Sequence, residues 1–125
     1  MSIQDFITYL KSVGITENIY PLSFPSSAPK DCMILEVGQG FSSRGSVNEL
    51  TLTITARSNH PKKAEELAQR VNTLLKDRTN EQVGQGNIIL IKSQQLIPNY
   101  LGKDSEGNYY YMNNFRVLVD TEALF

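Results

Sequence analysis

Residues 47–57 alternate with a period of two: Leu50, Leu52, Ile54 and Ala56 interleave with Thr51, Thr53, Thr55 and Arg57. Successive side chains of an extended strand leave opposite faces, so this segment predicts a strand with one dry and one wet face. A sheet built on it needs a core on one side only, which favours helices segregated to that side.

The other segments fill in such an arrangement. Ile3, Phe6, Ile7 and Leu10 recur at helical spacing behind Ser2 and Asp5, which resemble a capping box, and Gly14 supplies a stop. Ile19-Tyr20-Pro21 opens a stretch punctuated by Pro25 and Pro29, read as an extended edge segment and a loop. Residues 32–37 read as a buried strand, and residues 38–46, with three glycines and three serines, as a mobile hairpin loop. A second helix starts at Asn59 or His60 with Pro61 in its first turn. Its apolar stripe is Ala64, Leu67, Ala68, Val71, Leu74 and Leu75, and its polar face includes Glu65, Glu66 and Arg70, with Glu66 and Arg70 at ion-pair spacing.

After a loop at Gly84-Gln85-Gly86-Asn87, residues 88–97 predict a strand, apolar on both faces at its start and ended by Pro98. Residues 102–108 read as a polar hairpin loop before a last strand over residues 109–120. The expected fold is therefore α+β, one largely antiparallel sheet of about four to five strands with two helices packed on one face. The other face falls to water or to another subunit, and Tyr109-Tyr110-Tyr111 would give it adhesive area.

Size and charge narrow the functions. The 125 residues suit one core, so residues 1–125 are expected to form a single domain. Twelve basic against 13 acidic side chains leave a net charge of −1, with no electrostatic pull toward nucleic acid or anionic lipid. The N-terminus lacks a basic-then-apolar leader, and no run of about 18 apolar residues occurs, so neither export nor a membrane span is expected.

Chemistry is scarce. Cys32, the single cysteine, lies in the apolar run Cys32-Met33-Ile34-Leu35 and reads as a buried structural thiol in a reducing compartment. His60, the single histidine, reads as a helix cap. No Gly-x-Ser-x-Gly elbow accompanies them, one cysteine and one histidine cannot supply the usual zinc ligand sets, and the loop at Asp104 lacks the length of a calcium-binding hand. The glycines near Gly38 and Gly40 precede a strand, whereas phosphate cradles need a helix N-terminus. No enzymatic activity, catalytic residue, cofactor or metal is expected. Phe41 and Arg44 in the first hairpin loop, with Tyr100, Lys103 and Asp104 around the second, are the residues read as protein contacts, and the helix face at Glu65, Glu66 and Arg70 is an alternative contact surface.

The order of these features resembles a known family. The N-terminal helix leads to Ile19-Tyr20-Pro21, a Pro-terminated loop and the strand Cys32-Met33-Ile34-Leu35-Glu36-Val37. The amphipathic strand, the helix beginning Lys63-Ala64-Glu65-Glu66-Leu67-Ala68, and the Tyr100-Leu101-Gly102-Lys103-Asp104 loop before Asn114-Phe115-Arg116-Val117-Leu118-Val119 complete the pattern. Together they look like the minor capsid or tail-terminator proteins of long-tailed bacteriophages, prophage copies included. The resemblance implies a structural protein that forms a six-membered ring on the tail tube, ends tube polymerisation and offers a joining surface to a head-side connector or stopper, with DNA passing through the lumen without specific binding. It implies a place in the virion tail, at the head–tail junction, and in the host cytoplasm during assembly. A small RNA- or ligand-binding α+β module is the alternative that the residues leave open.

Overall fold

The computed structural model describes residues 2–44 and 47–120, with the side chains of residues 39–44 excepted. Helix α1 (Ile3–Ser12) begins at a complete capping box: the Asp5 amide donates to Ser2 Oγ at 3.2 Å, and the Ser2 amide donates to Asp5 Oδ2 at 2.9 Å. Phe6, Ile7, Tyr9 and Leu10 form its buried stripe, and Gly14, at φ +119°, lets the chain turn away. Helix α2 (Pro61–Leu75) starts with proline, whose missing amide hydrogen costs nothing in the first turn. His60 occupies the N-cap position, but its side chain makes no capping bond.

Among the described residues there are seven strands, in chain order β1 (Asn18–Pro21), β2 (Cys32–Arg44) and β3 (Val47–Ser58) before α2, then β4 (Thr79–Val83), β5 (Gly86–Ser93), β6 (Asn99–Lys103) and β7 (Tyr109–Asp120). They form one sheet in the order β1-β2-β3-β7-β5-β4, with β6 paired to β7 off that path. The β1/β2 pair is parallel and the other pairs are antiparallel.

This corrects the expected sheet of four to five largely antiparallel strands: the sheet is mixed, seven-stranded and curled into a half-barrel. The strands that were missed or read as loop are short and at edges. β4 is the polar run Thr-Asn-Glu-Gln-Val and β6 contains Gly102, so neither shows a clean two-residue alternation, whereas β1 occupies the extended edge segment expected from Ile19-Tyr20-Pro21. The hairpin loop expected at residues 38–46 is also corrected, because β2 continues to Arg44 opposite Val47, accommodated by register shifts after Gln39 and Ser42.

The curl follows from where α1 lies. It touches β1 and β2 at one end of the sheet and β4 at the other. Flat, the six strands on the path would span about 24 Å across, wider than a ten-residue helix is long, at about 15 Å. One short helix reaches both ends only if the sheet wraps around it. The inner face so enclosed carries Met33, Leu35, Leu52, Ile54, Ile88, Ile91, Phe115, Val117 and Val119, and these form one buried cluster with the apolar stripes of both helices. Asn113 is buried among them, where its Nδ2 donates to the Ala68 carbonyl at 2.7 Å and pins α2 to the sheet.

Candidate assembly interface

Strand register places the two predicted contact loops far apart. Val47 pairs with Asp120 at one end of the β3/β7 ribbon, and Ser58 pairs with Tyr109 at the other. The β2–β3 tip, with Phe41 and Arg44 close by, therefore lies about 36 Å from the β6–β7 turn. The side chains of Phe41 and Arg44 lie outside the described residues.

The β6–β7 end is held together by Asp104. Its Oδ1 accepts from the backbone amides of Glu106 (2.9 Å) and Asn108 (2.8 Å), and its Oδ2 accepts from the Tyr110 hydroxyl (2.6 Å) and Asn108 Nδ2 (3.2 Å). The Tyr110 hydroxyl, followed by the Asn108 amide, holds the carboxyl at about 2, below the usual carboxylate range. The carboxylate thus organises the turn. Tyr110 in turn meets the ring of Phe24 edge-on at 5.8 Å, and the Arg57 guanidinium lies over that ring at 4.4 Å while donating to the Pro29 carbonyl at 2.8 Å. The proline-rich segment after β1 is bound to the outer sheet face by this stack.

Tyr100 and Lys103 lie beside this turn and remain exposed, with Lys103 Nζ 5.6 Å from the Tyr109 ring. Tyr100 packs against Tyr111 at 5.2 Å, and the Tyr111 hydroxyl is pushed up by burial and then by the Glu65 carboxylate. Through Tyr111 the fold brings Glu65 of α2 close to Tyr100, whereas Lys103 and Asp104 make their contacts with Tyr109 and Tyr110. Arg70 points elsewhere, ion-paired with Glu17 after α1, and Glu66 is exposed on α2. The three tyrosines read as adhesive area are half-buried and engaged within the chain.

The exposed apolar surface is a few residues earlier. Five large hydrophobic side chains among the described residues are exposed, and four of them fall between β5 and β6 or on β6: Leu96 (98%), Ile97 (68%), Tyr100 (54%) and Leu101 (54%). Clustering of this kind marks a contact surface, where a scattered exposed leucine would not. Sequence reasoning placed Leu96 and Ile97 at the end of a strand. The available signal was that they stand isolated between Gln94-Gln95 and Pro98-Asn99.

The local cause is a gap in the edge of β7. β5 leaves the sheet at Ser93 and β6 joins it at Asn99, and the Gln95 side chain occupies the space between, accepting from the Asn114 amide at 2.6 Å and donating to the Met112 carbonyl at 3.5 Å. Gln95 is tethered again by Ser93, whose hydroxyl donates to its carbonyl at 2.8 Å, and Pro98 is buried. Leu96 and Ile97 are held outward between these two anchors. Among the described residues no three metal-ligating side chains gather, and Cys32 is buried, its thiol pushed up chiefly by desolvation.

Comparison with known proteins gives a consistent result. A family model described as bacteriophage tail terminator protein matches residues 9–121. No curated protein matches the chain. Among solved structures, a chain in the virion of a native gene transfer agent particle is similar in fold, with a TM-score of 0.65 at 14% identity, over 94% of this chain and 90% of that one.

Proposed function

Since the chain belongs to the bacteriophage tail terminator family, we propose that it closes into a ring of six copies on the end of the tail tube and stops the tube from growing. The coarser statement, that it is a structural protein of a phage tail, follows from the family itself. The observation that carries the finer reading is the family match across residues 9–121, and the geometry supports it in two ways.

First, a terminator meets different partners on its two sides, the tail tube protein and a head-side connector or stopper. The ribbon of β2, β3 and β7 offers two separate ends about 36 Å apart, one near Phe41 and Arg44 and the other around Tyr100, Lys103 and Asp104. Second, closed rings need contacts between unlike patches of the same chain, and the α2 face at Glu65 and Glu66 differs in character from the apolar stretch beyond β5. A net charge of −1 suits a conduit through which DNA passes without being held. The protein acts in the virion tail, and ring assembly precedes it in the host cytoplasm.

Native mass spectrometry across concentration, with negative-stain images of the same samples, tests the ring. Six-copy mass and annular particles are expected. A tube-growth assay tests termination: tail tube protein polymerising past saturating amounts of this chain would refute it.

A further inference from the structure

We propose that Leu96 and Ile97 of one copy seat in a depression over Leu90 and Leu118 on the outer sheet face of the next copy, joining successive copies head to tail. This rests on the ring reading and names the contact that closes it.

The depression has a definite local origin. Between Ile88 and Leu90 the β5/β7 register shifts by one residue, so Ile88 opposite Val119 faces the core whereas Leu90 opposite Leu118 faces out. Without that bulge Leu90 would share the inner face with Ile88. The result is two half-buried leucines side by side on the outer face, flooring a cavity of about 210 Å³ rimmed by Glu49, Lys92 and Arg116. A cavity of about 150 Å³ accepts a benzene-sized group, so this one has room for a leucine or isoleucine side chain.

The projecting side supplies a matching shape. Leu96 is almost fully exposed, and the anchors at Gln95 and Pro98 hold it there, so little ordering is lost when it docks. The rim suits closure as well. Arg116 is already ion-paired with Glu49 and keeps its partner when water leaves, and the Lys92 stem can lie along an incoming apolar side chain. Projection and depression are different patches of one chain, the condition for a heterologous contact, and such contacts close into rings or run on as filaments. A second copy is the occupant these observations favour, because both halves of the contact are on the same molecule.

The test is a Leu96→Cys, Leu118→Cys double variant under mild oxidation. Cys32 is fully buried and does not compete. A ladder of disulfide-linked oligomers ending at the ring is expected, with neither single variant producing it. Leu96→Asp, at a site with almost no packing to lose, is expected to raise the concentration needed for assembly by about tenfold or more while leaving the thermal midpoint unchanged.

Rings that form without the 96–118 crosslink would overturn this contact and leave the ring reading standing. Cross-linking that stops at discrete dimers would overturn the head-to-tail arrangement. Leu96→Asp protein that still forms rings but no longer binds tail tubes would assign the projection to the tube and overturn the proposal. Wild-type protein that stays monomeric both free and on tubes would overturn the ring reading, and this contact with it.

Discussion

Gly84→Ala tests the curl of the sheet through a single methyl group. Gly84 sits in the β4–β5 turn at φ +57°, and a Cβ there would lie 2.7 Å from Asp5 Oδ2 and 2.8 Å from Asp5 Cγ. Two costs follow. A left-handed non-glycine residue costs about 1–2 kcal/mol. The Asp5 carboxylate must also leave its place, breaking the bond it accepts from the Ser2 amide, and loss of a helix cap costs roughly 1 kcal/mol. The sum is about 2–3 kcal/mol, read by urea denaturation as a lower midpoint at unchanged slope. The discriminating measurement is the cycle with Asp5→Ala. Once the carboxylate is gone the steric part has nothing to act on, so Gly84→Ala in that background should cost only the conformational part, leaving a coupling of about 1 kcal/mol. Strict additivity would refute the reasoning, because it would mean that the start of α1 and the β4–β5 turn do not touch and that the sheet need not wrap around the helix.

Other outcomes follow from single sites. The Asp104 carboxyl, held at about 2, should stay ionised in an NMR pH titration at pH 3–4, where exposed carboxylates protonate. Its stabilisation of the turn is present above the unfolded pKa and is lost as pH falls from about 4 through about 2, so Asp104→Asn should loosen the turn above about pH 4 and differ progressively less from the wild type as pH falls toward about 2. Arg57→Ala should raise hydrogen exchange and protease cleavage selectively within residues 22–30, with Arg57→Lys intermediate because it keeps the charge but loses the planar donor fork. Uniform loosening of the whole chain would contradict a local latch. Tyr9, pushed up to about 12 by burial and then by the Glu81 charge, should be the last tyrosine to ionise in an alkaline absorbance titration. Cys32 should react with thiol reagents only as fast as the chain opens.

What the sequence revealed and what it hid divide along burial. The stripes of α1 and α2 and the inner residues of β3 were legible because a buried face imposes its period on the residues that line it. β4 and β6 were not legible. Each pairs along one edge and, Val83 of β4 apart, keeps its side chains out of the core, so backbone pairing to β5 or β7 holds it in place and side-chain pattern is free to vary. The same reason explains the misplaced adhesive surface. Tyr109, Tyr110 and Tyr111 are apolar enough to suggest a sticky face, but their partners, Lys103, Phe24 and Tyr100, come from segments distant in sequence or read as loop. Asp104 drew attention as a charge in a loop, and the charge proved to be the hub of the turn.

How the sheet treats its edges bears on why this chain would form closed rings and not open-ended aggregates. Leu22 donates its amide to Leu35 of β2 at 3.0 Å, so Pro21, one residue earlier, faces away from β2 and presents no donor to an incoming strand. Its carbonyl is taken by the Ser23 amide at 2.8 Å, which removes the acceptor too. At the other end α1 packs against β4, and Asn80 adopts a left-handed conformation, at φ +56°, that interrupts the edge. β6 alone among these three short edge strands combines an accessible edge with exposed Tyr100 and Leu101. The exposed apolar side chains of β6 lie next to Leu96 and Ile97, and their proposed complement on the outer face is a small depression that admits a side chain but not a strand. Under the proposed reading, assembly is then governed by a side chain in a fitted cavity, which sets an angle between neighbours, whereas free backbone edges would add strands without limit.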